Sequence, residues 1–185
     1  QNPAQVGNRV RGDRPPSATL RLAAFCVLLV PDTPLLFMGE EHGERRPFPY
    51  FTDHEDPRVA EAAREGRRRE VGAGEEAPDP QDPETFRRAV LDRESGDPSL
   101  RALYRELIRL RRDIGPGAAV NRRLPRRRGA VAPARRGRLE LLVNAGAQPV
   151  RLPVADAREV VLSTHPVALG ADSVTLPPRS GAALR

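Results

Sequence analysis

Apolar and polar positions are arranged in three ways along this chain, and each arrangement predicts a different element. Residues 1–19 are mostly polar and are expected to form a loop closed by Pro15-Pro16-Ser17. From Leu20 to Val30 the residues are apolar except for Arg21, which predicts a helix buried over most of its surface. Pro31-Asp32-Thr33-Pro34 ends it. The run Leu35-Leu36-Phe37-Met38, stopped by Gly39, then reads as a short parallel strand covered on both faces. Helix, turn, buried strand and polar loop make half of a β/α repeat. Residues 40–80 are irregular, charged and proline-rich, with a helix over Arg58 to Glu70. In Asp82-Pro83-Glu84 an N-cap, a first-turn proline and a first-turn acid follow one another, which predicts a helix from Pro83 to Glu94. Asp97-Pro98 repeats the signal, and Leu100, Leu103, Tyr104, Leu107 and Ile108 recur at helical spacing up to Arg112. That stripe is expected to be the core face of a helix.

Beyond Gly115-Pro116-Gly117 the period changes. Leu139 to Asn144, Val150 to Val154, Val160 to Thr164, Val174 to Leu176 and Ala182 to Leu184 are strand candidates separated by Gly, Pro and Asp. An α/β part over residues 1–115 followed by a small all-β domain over residues 118–185 is therefore expected. The stretch from Arg122 to Arg138 opens the β part and reads as a solvated loop or hairpin.

The chain has 185 residues, 38% of them hydrophobic, enough for one ordinary domain or two small ones. It begins at Gln1, and its single methionine is Met38, so it reads as a fragment or a trimmed product. No signal peptide is recognisable, and Leu20–Val30 is far shorter than the about 20 apolar residues a bilayer span requires. The cytoplasm is the expected compartment. Cys26 lies inside the apolar run and is expected to act as a small hydrophobe. His42, His54 and His165 are scattered, with no metal-binding spacing, and neither a metal nor a cofactor is expected. The net charge of +6 and a pI near 10.9 would ordinarily point to nucleic acid. All 31 basic residues are arginine, however, as a GC-rich genome imposes, which weakens that inference. The eight arginines between 122 and 138 are interrupted by prolines and carry no interleaved aromatic. They are expected to attract polyanions weakly at low salt, and no specific nucleic-acid partner is expected.

Gln1-Asn2-Pro3-Ala4-Gln5-Val6-Gly7-Asn8-Arg9 resembles the Gln-Asn-His-Asp-Gln-Val-Gly-Asn-Arg segment of the α-amylase clan, with Pro3 in the histidine position and Ala4 in that of the aspartate. Further along, Gly12-Asp13-Arg14, Thr33 through Glu41, Phe48-Pro49-Tyr50-Phe51-Thr52-Asp53-His54, Arg64 through Glu70, Pro78 through Phe86, Tyr104 through Ile108 and Leu176 through Ser180 are similar to successive landmarks of the malto-oligosyltrehalose trehalohydrolase family. The resemblance covers almost the whole chain.

That resemblance implies the C-terminal end of a (β/α)₈ barrel over residues 1–115 and a small β-sandwich over residues 118–185, in a glycoside hydrolase that releases trehalose from maltooligosyltrehalose. Residues 1–9 would be the loop after the seventh strand, Leu20–Val30 the seventh helix and Leu35–Met38 the eighth strand. The segments bearing the family's nucleophile and general acid are not in this chain, and the third carboxylate is replaced by Ala4. No catalytic residue is therefore assigned. Asn2, Gln5, Arg9, Glu40, Glu41 and Asp53 are expected as remnants of a substrate-binding surface. A maltooligosaccharide-type substrate is implied for the intact family. The alternatives are a non-catalytic glucan-binding module, one that docks on a separately encoded barrel half, or an arginine-driven nucleic-acid binder. The absence of tryptophan and an aromatic content of 4% argue against glucan binding.

Overall fold

The computed structural model describes residues 3–72, 76–115, 118, 120–121, 130–154 and 159–185. In chain order the elements are α1 (Pro3–Gly7), α2 (Ser17–Leu29), a 3₁₀ turn (Glu40–His42), α3 (Pro57–Val71), α4 (Pro83–Ala89) and α5 (Pro98–Ile114). Eight strands follow: β1 (Val120–Asn121), β2 (Ala130–Arg136), β3 (Leu139–Asn144), β4 (Val150–Pro153), β5 (Val160–Ser163), β6 (Ala168–Leu169), β7 (Ser173–Leu176) and β8 (Ser180–Leu184). The chain divides into two compact units, Gln1–Pro15 with Leu35–Asp97, and Pro16–Pro34 with Pro98–Arg185. These units do not follow the expected division at 115/118. Helices α2 and α5 cluster with the strands because their apolar stripes and one face of the sheet cover each other.

In the second unit, Leu20, Ala24, Phe25, Leu28 and Leu29 of α2 pack with Leu100, Leu103, Tyr104 and Leu107 of α5 and with Leu139, Leu141 and Ala183 of the sheet. Helix α2 is thus buried or half-buried over most of its surface from Leu20 to Leu29, as its composition suggested, with only Ala23 exposed there. Strands β1-β2-β3-β8-β5 form one antiparallel sheet and β4-β7-β6 another. Strand β8 is buried along its whole length, and its alternation divides the core. Ala183 joins the helices, whereas Ala182 and Leu184 join Leu142, Leu152, Val174 and Leu176 in a cluster drawn from both sheets. Gly181 also faces α2, and a Cβ there would sit 2.6 Å from Cδ1 of Phe25. Its missing side chain lets the helix reach the sheet.

The five predicted strands all form, within two residues of their expected bounds. The sequence pattern did not disclose β1, β2 and β6. Strand β2 lies in the arginine-rich stretch and carries Pro133, which falls inside a register shift between Val131 and Ala134, where a residue without an N–H is tolerated. Turning at Gly137, β2 pairs with β3, so the hairpin reading applies to residues 130–144. Residues 122–129 lie outside the described residues.

In the first unit, helices α3 and α4 start where predicted. Asp56 and Asp82 cap them by accepting from the amides of Arg58 and Glu84 at 2.8 Å, each followed by a proline. Three expectations fail here. Residues 3–7, expected as loop, form α1, and Val6 anchors that turn with 1% exposure. Helix α4 ends at Ala89 rather than Glu94, because the Asp92 carboxylate accepts from the amides of Glu94 and Ser95 and offers the backbone a turn instead. Leu35–Met38 forms no strand. A strand needs at least one hydrogen-bonded neighbour, and no strand occurs among the described residues of this unit. Only Phe37 is buried, whereas Leu35 is 65% exposed.

Candidate functional site

The acids singled out beyond the Pro3-Ala4 segment begin at a tight corner. Gly39 and Gly43 bracket the 3₁₀ turn in left-handed conformations, φ +86° and +74°, and a Cβ on Gly39 would lie 2.7 Å from Cβ of Glu44. The corner turns Glu40 inward, where it is buried, and leaves the Glu41 side chain 47% exposed. His42 is also buried, and its Nδ1 lies 3.1 Å from the Glu41 carboxylate. Burial acts to raise the Glu41 pKa, but hydrogen bonds from its own amide, from His42 and from Gly39 outweigh it and hold the carboxyl below the usual range.

Glu44, which the sequence reading passed over, organises this corner. Its side chain has no exposure and accepts from the amides of Arg45 and Arg46 at 2.8 Å and of Asp92 at 2.6 Å. Burial would raise its pKa, yet these amides and the charge of Arg14 carry it below the ordinary value. Arg14 donates to the carbonyls of Arg46 (2.8 Å) and Met38 (2.9 Å), and its guanidinium lies 5.1 Å from the centre of the Phe37 ring. Burial lowers its pKa, partly offset by the charges of Glu44, Glu40 and Glu41. A single Gly-Asp-Arg tripeptide gave no hint of this, because the partners lie 24 and 32 residues away.

Asp53 stands on a different loop and is exposed. That loop is held by Gln81, whose Oε1 accepts from the Thr52 hydroxyl (2.6 Å) and the His54 amide (3.1 Å) while its Nε2 donates to the His54 carbonyl (3.1 Å). The amide of Thr52 also donates to the carbonyl of Pro80. Arg67 does comparable work for the first residues of the chain. It is buried, donates to the carbonyls of Gly7 and Arg9 at 2.9 and 2.8 Å, and lies over the Tyr50 ring. Gln5 and Arg9 are exposed on that segment, and Arg9 donates to the Asp13 carbonyl. Ala4 and Pro3 lie in α1, and Asn2 lies outside the described residues.

Clefts open among the described residues of this unit. One of about 970 Å³ is lined by Arg64, Arg67, Arg68, Arg69, Glu76 and Asp79 among others, but those arginines already meet acids: Arg64 pairs with Asp79, Arg67 with Glu70, Arg68 with Glu61 and Arg69 with Glu65. Another, of about 430 Å³, is apolar and includes Met38, Phe48, Phe51, Phe86 and Leu91. Phe37, Phe48, Phe51 and Phe86 form a chain of edge-to-face contacts along it. Among the described residues no group of His, Cys, Asp and Glu could hold a metal. A retaining glycosidase needs two carboxyls roughly 5–5.5 Å apart, with one held protonated. Glu41 and Glu44 are both pushed the other way, so neither is arranged as a proton donor.

Over its whole length the chain is 40% identical to a malto-oligosyltrehalose trehalohydrolase of Rhizobium sp., of which it spans 34%. The corresponding enzyme of Saccharolobus solfataricus is 41% identical over 67% of the chain and 22% of that protein. Among solved structures, a Salmonella typhimurium protein described as an alpha amylase superposes with a TM-score of 0.79 at 32% identity, over 99% of this chain and 34% of the other. Trehalulose synthase of Pseudomonas mesoacidophila shares the fold at 20% identity and a TM-score of 0.59, over 94% of this chain and 39% of its own. Residues 111–182 match a family described as a domain of unknown function, DUF3459. The chain spans about a third of the length of the curated relatives that it matches from end to end. No helix among the described residues is long and apolar enough to cross a membrane.

Proposed function

Because the chain belongs to the malto-oligosyltrehalose trehalohydrolase family, we propose that it is the C-terminal portion of a glycoside hydrolase of trehalose formation, and that these 185 residues alone do not turn over substrate. By descent, residues 1–115 are the end of a (β/α)₈ barrel and residues 118–185 a C-terminal β-sandwich, working in the cytoplasm on a maltooligosaccharide-type substrate. The observation that carries the reading is Ala4. It stands in α1 at the family's aspartate position, in a segment that Arg67 holds in place. This supports reading the segment as the frame of that loop without the charge that would stabilise a developing oxocarbenium ion, a contribution worth several kcal/mol. Gln5, Arg9, Glu40, Glu41 and Asp53, with Asn2, are the polar remnants of that surface. Incubation of the chain with maltooligosyltrehalose and chromatography of the products tests this: no trehalose above a buffer blank is expected, and its release would overturn the proposal.

A second reading, a module that docks on a separately encoded barrel half, is favoured by one observation. Leu35, Leu36, Met38, Phe86 and Val90 all expose apolar surface in the first unit. Co-expression with a polypeptide covering the remaining two thirds of a relative should yield a co-purifying pair. Separate elution of the two chains would remove this reading.

A further inference from the structure

Charge is divided unevenly between the two compact units. The second carries eighteen arginines against seven acids, net +11, and the first thirteen arginines against eighteen acids, net −5. A genomic preference for arginine exchanges one cation for another and leaves this imbalance untouched. The pairing of the arginines differs as well. On α3 and α4, Arg64, Arg67, Arg68, Arg69 and Arg87 each lie within ion-pair distance of an acid. On α5, Arg101, Arg105, Arg109 and Arg112 are exposed, and none meets an acid among the described residues, although Glu106 and Asp113 lie on the same helix.

Their spacing of four, four and three residues sets these arginines in one row, about 16 Å long at the rise of an α-helix. The row points away from Leu103, Tyr104 and Leu107, which hold the opposite side of α5 in the core. We propose that this row binds the phosphate backbone of duplex nucleic acid without reading its sequence. The guanidinium fork matches phosphate oxygens, and a duplex presents one charge per about 1.7 Å of axis, so a straight cationic row meets several phosphates in any register. No exposed aromatic stands on this face to stack an unpaired base, which disfavours single strands. Ala102, Glu106 and Asp113 are its exposed neighbours, and none is a bulky apolar group that would enter a bilayer. The row offers arginine alone, with no Asn or Gln beside it to pair an adenine edge, which favours the backbone as its target.

The test is fluorescence anisotropy of a mixed-sequence 20-base-pair DNA duplex, titrated with the full 185-residue chain between 50 and 200 mM salt. The Arg101→Gln, Arg105→Gln, Arg109→Gln, Arg112→Gln quadruple variant should bind at least tenfold more weakly at 50 mM salt. Its slope of log affinity against log salt should be shallower by about 3 to 4, as the loss of up to four phosphate contacts requires. A matched variant of the first unit, Arg68→Gln, Arg69→Gln, Arg87→Gln, Arg88→Gln, should bind within about twofold of the parent. Far-ultraviolet circular dichroism matching the parent shows that each variant is folded. Undiminished binding by the α5 variant would overturn the proposal and move the contact to residues 122–138. Displacement of the duplex by polyglutamate at equal charge, tighter binding to phosphatidylserine vesicles, or preference for one DNA sequence over scrambled competitors would each overturn it too.

Discussion

Arg111 and Arg136 donate to the same carbonyl, that of Val30, at 2.6 and 3.0 Å. Around it, Arg111 also reaches the carbonyls of Leu28 and Asp32, and Arg136 those of Leu29 and Gly115. The last carbonyls of α2, which a helix leaves without internal donors, are therefore capped by two cations at the negative end of its dipole. Arg136 has no exposed surface, and burial, with the charge of Arg111 beside it, draws its pKa down. Replacing Arg136 with alanine leaves buried carbonyls unpaired and a cavity behind, at a cost of about 3 kcal/mol. Because Val30 is shared, the Arg111→Ala, Arg136→Ala double variant should lose less or more than the two single losses combined, by at least about 0.5 kcal/mol. Urea unfolding curves measure all three, and strict additivity would show that the shared carbonyl does not couple them.

Acid should weaken the first unit through Glu44. Its folded pKa lies below the ordinary 4.5, so ionisation of the folded state adds stability that is present above that value and lost as pH falls through the lower folded value. Glu41 contributes in the same direction. Glu44→Gln should destabilise by about 2 kcal/mol at pH 7, by misplacing an NH₂ among three amide donors, and should flatten the decline below pH 4.5. Thermal unfolding followed from pH 7 to pH 3 gives both effects. An unchanged acid slope in the variant would remove Glu44 from the account.

The Gly181 contact predicts a loss with a specific remedy. Gly181→Ala places a methyl 2.6 Å from Phe25 and should cost about 1–3 kcal/mol by overpacking. Adding Phe25→Leu should recover part of that loss, although the latter change alone is destabilising. Chemical denaturation of the four chains decides it; a pair of losses that simply add would mean that the sheet yields, not the ring.

On the proposed reading, placing histidine and aspartate at Pro3 and Ala4 should leave these 185 residues without turnover, since the resemblance assigns the nucleophile and acid to segments outside them. The same change in a chain carrying a complete barrel should raise kcat by ~10³-fold or more, as the loss of one charged catalytic member costs elsewhere. Steady-state release of trehalose from maltooligosyltrehalose is the measurement.

Limited proteolysis should leave a protected C-terminal fragment that begins near Asp97. A sandwich independent of its preceding helix would instead be trimmed to a start beyond Gly117. The stripe from Leu100 to Leu107 is buried with α2, Leu139, Leu141 and Ala183, so α5 should resist cleavage together with the strands. N-terminal sequencing of the resistant fragment separates the two outcomes.

What could be read from the residues alone depended on how local the cause was. Asp82-Pro83 carries its helix start within three residues, and the Leu139–Asn144 run is rich in Leu and Val between breakers, so these elements were legible. Leu35–Met38 has the composition of a buried strand, but pairing needs a neighbour that the pattern itself cannot supply. Strand β2 was hidden for the opposite reason: its partner β3 imposes an extended form on a segment that contains Pro133 and two consecutive arginines. At the candidate site, Glu40, Glu41 and Asp53 were visible as acids, whereas Glu44, Arg14 and Gln81 owe their roles to amides and carbonyls that lie up to 48 residues away.

The amide of Gln81 is a fastener between two stretches of chain, residues 52–54 on one side and its own proline-flanked turn on the other. Neither stretch needs a sugar to justify its spelling. A threonine hydroxyl, one peptide unit and a glutamine of the right reach are enough to make each depend on the other, and a change in one strands the polar atoms of its mate. Selection for a folded polypeptide alone would therefore keep both stretches recognisable whatever residue stands at position 4. Lettering shared with active enzymes is, at these positions, a record of how the chain is tied together, and it carries no warrant of chemistry.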